Sequence, residues 1–216
     1  MKNVLATKQL LSVIFTIVQK KSIIKTGDNM NKKIDLRVLK TKKNLYEALI
    51  LLMKEKTFET IKVSDICDKA LVNRSTFYSH FDDKYDLLNS LIADLKKNLK
   101  KELEKNSNIS NSKEYYLEMI KIFLTHAEEK KEIYASIMIN NKNGISMDMV
   151  YDALNEDITK RLENEKENNK LQVPSEIMAK FYLGAVFNLG MEWLTNKKYT
   201  KKEIVTYLDK LLPDDF

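Results

Sequence analysis

The residues best suited to chemistry lie in one short segment, Arg74–His80, which carries guanidinium, hydroxyl and imidazole groups and no carboxylate. Because a helix turns about 100° per residue, Phe77 and Phe81 share one face of a helix here, and Ser75 lies nearly opposite. Hydroxyl and guanidinium groups donate hydrogen bonds to phosphates and to base edges in a major groove. The pattern predicts a helix that reads DNA, and an ordinary helical hairpin is the alternative interpretation.

A second helix and a tight turn precede this segment. Apolar residues recur at the i, i+3, i+4 and i+7 spacing of one helix face, at Val63, Ile66, Cys67 and Ala70. We expect them to face a core, so Cys67 is interpreted as a core residue and not as a nucleophile. Asn73 stands where the next helix begins, and its side-chain oxygen is suited to cap an amide near Ser75 or Thr76. Together these features predict a helix-turn-helix.

The segment Val63–Lys84 resembles the motif of the TetR family of bacterial repressors. The matching positions are Ala70, Val72, Thr76, Phe77, Tyr78, His80, Phe81 and Lys84. Leu71 departs from the pattern because it replaces the turn glycine, which strains the turn if this position needs a positive φ. Lys62 replaces the usual Thr or Ser at the start of the first helix, which weakens that cap. The resemblance implies a three-helix DNA-binding bundle followed by a helical regulatory and dimerisation domain.

The donor chemistry and the resemblance together give a candidate DNA-binding surface. We expect the residues nearest the base edges to be Ser64, Arg74, Ser75 and Thr76. We expect the residues on phosphates to be Lys62, Tyr78, His80 and Lys84. Asn73 and Ser79 complete the surface.

Composition limits the fold class and the chemistry. The 216 residues include four Gly and two Pro, which is too few turn-forming residues for a β protein, so an all-α fold is predicted. The single cysteine has no internal disulfide partner, which favours a reduced, cytoplasmic setting. The sequence has no metal-ligand spacing, no glycine-rich phosphate loop and no set of nucleophile, base and orienting residue. We therefore predict no catalytic residue, metal or cofactor, and no enzyme.

The net charge of +6 is unevenly distributed along the chain. Residues 1–30 carry five Lys and one Asp, residues 31–105 carry 17 basic and 12 acidic residues, and residues 106–216 carry 15 basic and 18 acidic residues. The basic front half is suited to approach phosphates. A lysine-rich solvated surface explains the charge alone equally well, and the helix-turn-helix pattern favours the first interpretation.

Residues 1–29 form an N-terminal extension ahead of Met30. Its apolar run, Leu10–Val18, is shorter than the roughly 20 residues that a membrane span requires. Lysines follow the run and no small-residue cleavage pattern does, which argues against an export signal. Two interpretations of residues 1–29 stay open, an added helix and a spurious translation start. No membrane partner is expected.

The remaining pattern divides the chain into a DNA-binding domain at 30–84 and a ligand-binding and dimerisation domain at 85–216. A first helix is predicted from Thr41 to near Lys56, and a long helix from Asp83 to about Lys105. The polar tract Asn106–Ser112 is the clearest break. Further helices are predicted at about 112–129, 131–141, 146–168, 174–196 and 200–212. Thr200 is expected to cap the last of them.

The helix from Pro174 carries two interior glycines, each of which costs about 1 kcal/mol relative to Ala unless something compensates. Close approach of another helix is the usual compensation, and the resemblance implies a homodimer formed by the two final helices. The expected interface residues are Phe181, Gly184, Ala185, Asn188, Trp193 and Leu208. An intramolecular core of the same helices is the alternative. A two-fold dimer is favoured because one helix-turn-helix reads too few base pairs.

The back half also holds aromatic and methionine side chains at helical spacing, which are usually core. The resemblance implies a small-molecule effector there, with Leu95, Leu99, Phe123, His126, Met138 and Tyr151 as candidate ligand residues. For His126, a satisfied and half-buried imidazole is the competing interpretation. The sequence therefore predicts a one-component regulator, most simply a repressor, that binds a double-stranded palindromic operator. The alternatives are an all-α protein-interaction module and a regulator controlled by a partner protein without a small-molecule ligand.

Overall fold

The computed structural model describes residues 36–105, 109, 111–129, 131–166, 173–196 and 198–212. Over these residues the chain is α-helical, without strands. The helices are α1 (Leu36–Glu55), a 3-10 helix (Phe58–Thr60), α2 (Val63–Ala70), α3 (Arg74–Tyr78), α4 (Lys84–Leu103), α5 (Ser112–Glu129), α6 (Lys131–Asn141), α7 (Ile145–Lys166), α8 (Ser175–Thr195) and α9 (Lys201–Leu211). The predicted all-α class is confirmed, and the N-terminal extension at 1–29 lies outside the described residues.

The helix bounds agree with the apolar periodicity to within one or two residues at most ends. The exception is α1, which begins at Leu36 and not at Thr41. At α9, Thr200 caps the helix as predicted: its hydroxyl accepts from the Glu203 amide at 3.2 Å, and the Glu203 carboxylate accepts from the Thr200 amide at 2.8 Å. Among the described residues, none of the helices is both long and apolar enough to cross a membrane.

The chain divides into two compact units, with the division between Asn98 and Leu99, inside α4. Unit 1 has an aromatic core: Tyr46 of α1, Phe58 of the 3-10 helix, Phe77 of α3 and Phe81 after it are all buried. The ring centroids of Phe77 and Phe81 lie 5.8 Å apart, and those of Tyr46 and Phe81 lie 6.4 Å apart. Cys67 is buried in α2, as its place on the apolar face predicted. These contacts fix α3 against the rest of the bundle.

A buried hydroxyl joins α1 to α4 in unit 1. The Tyr46 hydroxyl lies 2.8 Å from the Ser90 hydroxyl and donates to the Asp94 carboxylate at 3.0 Å. Ser90 and Asp94 are one helical turn apart, so one phenol bonds to both. Burial raises the pKa of Tyr46 above its ordinary range. The first half of α4 is therefore attached to α1 by hydrogen bonds.

Unit 2 packs α5 to α9 around one apolar core, which includes Leu124, Leu162 and Ala179. Two ion pairs fix the direction of α9 along α5: Lys113 pairs with Asp209 at 3.4 Å, and Lys201 pairs with Glu128 at 2.8 Å. Because the start of each helix pairs with the end of the other, the two helices are antiparallel. Exposed pairs of this kind add little stability, and the buried leucines carry most of it.

The two interior glycines of α8 are not required by packing inside the chain. A Cβ atom at Gly184 would lie 4.0 Å from the Tyr151 hydroxyl, and one at Gly190 would lie 4.0 Å from the Phe123 ring. Both distances are ordinary van der Waals contacts. The close helix approach expected from these glycines is therefore absent within the described residues of one chain.

Candidate nucleic-acid interface

The turn between α2 and α3 keeps the left-handed shape that normally calls for glycine. Leu71 has φ 56° and ψ 44°, the left-handed helical region. Its amide donates to the Asp68 carbonyl at 3.3 Å, and the next amide, that of Val72, donates to the Cys67 carbonyl at 3.0 Å. This pair of bonds is a Schellman motif, which satisfies the last carbonyls of α2. The turn is therefore well bonded but occupied by a residue that is strained there.

Helix α3 starts at the predicted place, without the predicted cap bond. Asn73 is the N-cap residue with extended backbone, and its carbonyl accepts from the Phe77 amide at 3.0 Å. Its side chain makes no capping hydrogen bond, so that part of the sequence interpretation is wrong in this structure. The amide group of Asn73 is exposed to solvent instead. A side chain released from capping has both donors and an acceptor available for a base edge.

The outward surface of α3, called here the reading face, consists of Arg74, Ser75, Thr76, Tyr78, Ser79 and His80. Four of these residues are exposed, and Thr76 and His80 are half-buried. The buried core fixes the position of this face, because Phe77 is fully buried and the His80 ring lies 6.4 Å from the Phe81 ring, tilted by 59°. Ser79 already donates to the Thr76 carbonyl at 2.7 Å, which leaves its oxygen as an acceptor.

The start of α2 presents two further predicted residues, Lys62 and Ser64. Lys62 is exposed and Ser64 is half-buried. Asp65 supplies the cap that the sequence lacked, because its carboxylate accepts from the Lys62 amide at 3.2 Å and from the Lys56 ammonium at 2.5 Å. These bonds, that from Lys56 first, lower the pKa of Asp65. The Lys62 side chain is thus left at the surface, where a phosphate can reach it.

Lys84, expected on a phosphate, faces inward instead. Its ammonium donates to the backbone carbonyls of Phe58 at 3.0 Å, Glu59 at 2.8 Å and Ile61 at 2.9 Å. An ammonium has three donors, and these bonds use all of them. Burial lowers the pKa of Lys84. The sequence interpretation of Lys84 as a phosphate ligand therefore does not fit the structure.

Sequence reasoning missed Lys42 as a residue beside the reading face. Its ammonium lies 5.2 Å from the centre of the Phe81 ring, next to His80 in the chain. Lys42 precedes the buried Tyr46 by one helical turn, so the two residues lie on the same side of α1. A lysine that continues an apolar helix face was the available signal. Cation and ring attract each other at this distance.

Comparison with known proteins identifies the architecture. Residues 45–91 match the family model described as bacterial regulatory proteins of the tetR family, and residues 114–214 match that of a transcriptional regulator C-terminal region. The chain belongs to the TetR family. The predicted resemblance is thereby confirmed, and the chain is a DNA-binding transcription regulator with a helix-turn-helix. The TetR fold and domains point to a transcription factor and away from an enzyme.

Individual relatives of this TetR-family chain are distant. The uncharacterized HTH-type transcriptional regulator YxbF of Bacillus subtilis (strain 168) is 35% identical over 57 residues, which span 26% of this chain and 15% of that protein. A TetR transcriptional regulator from Streptococcus agalactiae 2603V is 26% identical with a TM-score of 0.59, covering 82% of this chain and 96% of its own. The fatty acid degradation regulator FadR from Bacillus halodurans has the same TM-score at 16% identity, covering 78% and 95%, and it shows a shared fold.

The candidate effector residues of this TetR-family chain are distributed over both units. Leu95 belongs to unit 1, and the others belong to unit 2. Met138 is buried, Leu99 and Tyr151 are half-buried, and the Tyr151 hydroxyl donates to the Lys180 carbonyl at 3.1 Å. The Phe123 ring is 38% exposed. Within the part of the chain that the structure describes, no cluster of His, Cys, Asp and Glu could hold a metal ion.

His126 has a defined partner that the sequence did not reveal. Its Nε2 lies 3.1 Å from a carboxylate oxygen of Glu102, near the end of α4. Both side chains are about a quarter exposed, so the pair ties the end of α4 to α5 without being sealed from water. The interpretation of His126 as a satisfied, half-buried imidazole therefore fits the geometry. The position of His126 gives no separate support for a role in ligand binding.

The predicted interface residues fall into two groups. Phe181, Ala185 and Asn188 are exposed on one face of α8, and Gly184 on the same face is half-buried. Trp193 and Leu208, however, are only 3% and 4% exposed in the single chain, because they pack into the core of unit 2. These two residues are corrected from interface to core. An apolar residue on a helix has the same sequence signature in either place.

Proposed function

We propose that this protein is a repressor that binds a palindromic operator as a homodimer and is released by a small-molecule effector. The observation that carries the proposal is the reading face. It presents guanidinium, hydroxyl and imidazole groups, and the sequence from Lys69 to Phe81 contains no carboxylate that would repel phosphates. A duplex operator is the partner that such a donor surface fits. The setting that matches this partner is the cytoplasm.

The base-edge contacts are assigned to Arg74, Ser75, Thr76 and Ser64, and Lys62 is assigned to a phosphate. Selection of bound sequences from random duplexes would give the half-site and its spacing. Arg74→Ala should cost about 1–3 kcal/mol on the selected site and relax the preference at one position. Lys62→Ala should weaken binding to all sequences alike and reduce the salt slope by about one unit. An equal loss on selected and random DNA for Arg74→Ala would contradict the assignment.

The dimer interface is assigned to the exposed apolar face of α8 and the adjoining side of α9. Phe181 and Leu211 are each 70% exposed, and Ile177 lies one turn before Phe181. Large apolar side chains that stay exposed in the single chain favour an interaction site. A two-fold axis through this surface would relate the two reading faces and set the spacing of the two operator half-sites.

A charge on this face should separate the subunits. Phe181→Glu should give a folded monomer by sedimentation, and operator affinity should fall more than the dimer constant alone suggests, because tethering supplies effective concentration. The matched control is Ile139→Glu, which places the same charge on an exposed apolar residue of α6. If both variants stay dimeric, the interface lies elsewhere.

Effector release is supported by the position of aromatic side chains in unit 2. Phe123 and Tyr134 meet edge to face at 6.0 Å, and Tyr151 is half-buried against α8. A ligand that binds one arrangement of the dimer tenfold better contributes about 1.4 kcal/mol of coupling, and operator DNA must weaken that ligand by the same factor. Small molecules that raise the melting temperature should therefore be assayed for operator release. A stabilising ligand bound in this region that leaves DNA affinity unchanged would favour control by a partner protein.

A further inference from the structure

Lys84 occupies a special place in the topology of unit 1. It is the first residue of α4, directly after the loop that follows α3, whereas its three carbonyl partners precede α2. The bonds to Phe58, Glu59 and Ile61 therefore join positions 26, 25 and 23 residues apart in sequence. The chain between Ile61 and Lys84 comprises the whole helix-turn-helix. The Lys84 side chain thus joins the segment before the helix-turn-helix to the segment after it.

The bonded carbonyls belong to the 3-10 helix and to Ile61, the residue that ends it. The Phe58 carbonyl already accepts from the Ile61 amide at 3.1 Å, and Lys84 occupies its second acceptor site. The Lys84 ammonium also lies 4.9 Å from the Phe58 ring and 5.4 Å from the Tyr85 ring, whose centroids are 5.2 Å apart. The ammonium is therefore enclosed by carbonyl oxygens and aromatic faces.

We propose that Lys84 is a positioning residue for DNA recognition: its ammonium holds the 3-10 helix before α2 to the start of α4 and so fixes the angle at which α3 is presented. The inference rests on the DNA-binding function proposed above and adds a second layer to it. Lys84 itself makes no phosphate contact. Lys84 acts indirectly, by fixing the orientation of α3, which carries most of the reading face.

This role makes a specific prediction about salt. A lysine that neutralises a phosphate releases a counterion, and its removal reduces the slope of log K against log salt by about 0.9. A lysine whose donors are all spent on carbonyls releases none. Lys84→Met keeps the length and the apolar stem but removes the ammonium bonds to all three carbonyls. Its salt slope should equal that of the wild type, while its operator-to-random affinity ratio should fall roughly tenfold, the size of one lost base contact.

Lys84→Arg separates charge from geometry. Arginine keeps the positive charge that a phosphate needs, yet its planar guanidinium does not reproduce three donors arranged around one nitrogen. The affinity ratio of Lys84→Arg should therefore fall as that of Lys84→Met does. Lys62→Met is the matched control, since Lys62 is exposed and has its side chain at the surface. It should lower the salt slope by about 0.9 and leave the affinity ratio unchanged.

The experiment measures binding of each purified variant to the selected operator and to a random duplex at several salt concentrations, well below its melting temperature. A lower melting temperature with an unchanged affinity ratio would make Lys84 merely structural and overturn the proposal. A reduced salt slope would make Lys84 a phosphate ligand and overturn it equally. Failure of the wild type to bind DNA would overturn the proposed function. The comparison of variants with a wild type that does bind DNA tests the role of Lys84 alone.

Reductive methylation of the wild type tests the geometry without any substitution. In the free protein, mass spectrometry of peptides should show the Lys84 amine methylated far more slowly than Lys62. Operator DNA should then slow the methylation of Lys62 and leave the slow rate of Lys84 unchanged. Rapid methylation of Lys84 in the free protein, followed by protection on DNA, would refute the proposal even if the variants did not fold.

Discussion

Replacing Leu71 by glycine should stabilise the protein. A left-handed backbone costs an L-residue about 1–2 kcal/mol, because Cβ crowds the following carbonyl oxygen. Leu71 has this conformation, and its side chain is 93% exposed, so its removal forfeits almost no burial. Glycine removes the steric cost but raises the backbone entropy of the unfolded chain, which takes back about 0.4–1 kcal/mol. The net gain in the free energy of unfolding is expected to be about 0.5–1 kcal/mol.

The two bonds of the turn are made by backbone amides, so Leu71→Gly leaves them in place. Urea unfolding followed by circular dichroism should show a higher midpoint at an unchanged slope, because the exposed surface is the same. Leu71→Ala is the control, since alanine keeps Cβ and with it the left-handed cost. If glycine gives no gain over alanine, or lowers the midpoint, Leu71 either lacks the strained backbone or makes a contact that the single chain does not reveal.

Three further predictions follow from particular contacts. Gly190→Ala should raise the free energy of unfolding by about 1 kcal/mol, since the added methyl group makes an ordinary van der Waals contact with the Phe123 ring. Gly184→Ala should do the same and, because Gly184 lies on the proposed dimer face, should also weaken dimerisation as measured by sedimentation. Tyr46→Phe should lower the free energy of urea unfolding by about 1–3 kcal/mol, because it removes the donor to the Asp94 carboxylate; an unchanged midpoint would contradict this. Asp65 has a lowered folded pKa, so its stabilisation is present above its unfolded pKa of about 4 and is lost as pH falls through the folded value. The stability deficit of Asp65→Asn should accordingly be largest at neutral pH and shrink on acidification, and a deficit independent of pH would refute the assignment.

The helices of this chain were predictable because each repeats a local pattern. The apolar face Ile66, Cys67 and Ala70 is buried as its spacing indicated, and Thr200 caps α9 as predicted. Such features depend on residues three or four apart, so the sequence already contains them.

The features that escaped prediction depend on residues distant in the chain. The partners of Lys84 are carbonyls, which every residue possesses and no sequence pattern marks. Glu102 meets His126 across 24 positions, and nothing local indicates the pairing. Trp193 was placed at an interface because an apolar helix face does not say whether its own chain or a second one covers it. The errors thus concern hydrogen-bond partners that are distant in sequence and apolar faces that can be buried either within one chain or between two.

The single cysteine of the chain gives the helix-turn-helix a built-in kinetic reporter. Cys67 is buried, and burial raises the pKa of its thiol, so a thiol reagent reaches a reactive thiolate only when α2 swings away from the bundle. The labelling rate then counts local opening events of the motif, separately from global unfolding. Any molecule that holds α2 and α3 in place must slow that reaction. The labelling rate of Cys67 therefore reports how long the motif remains closed with and without DNA.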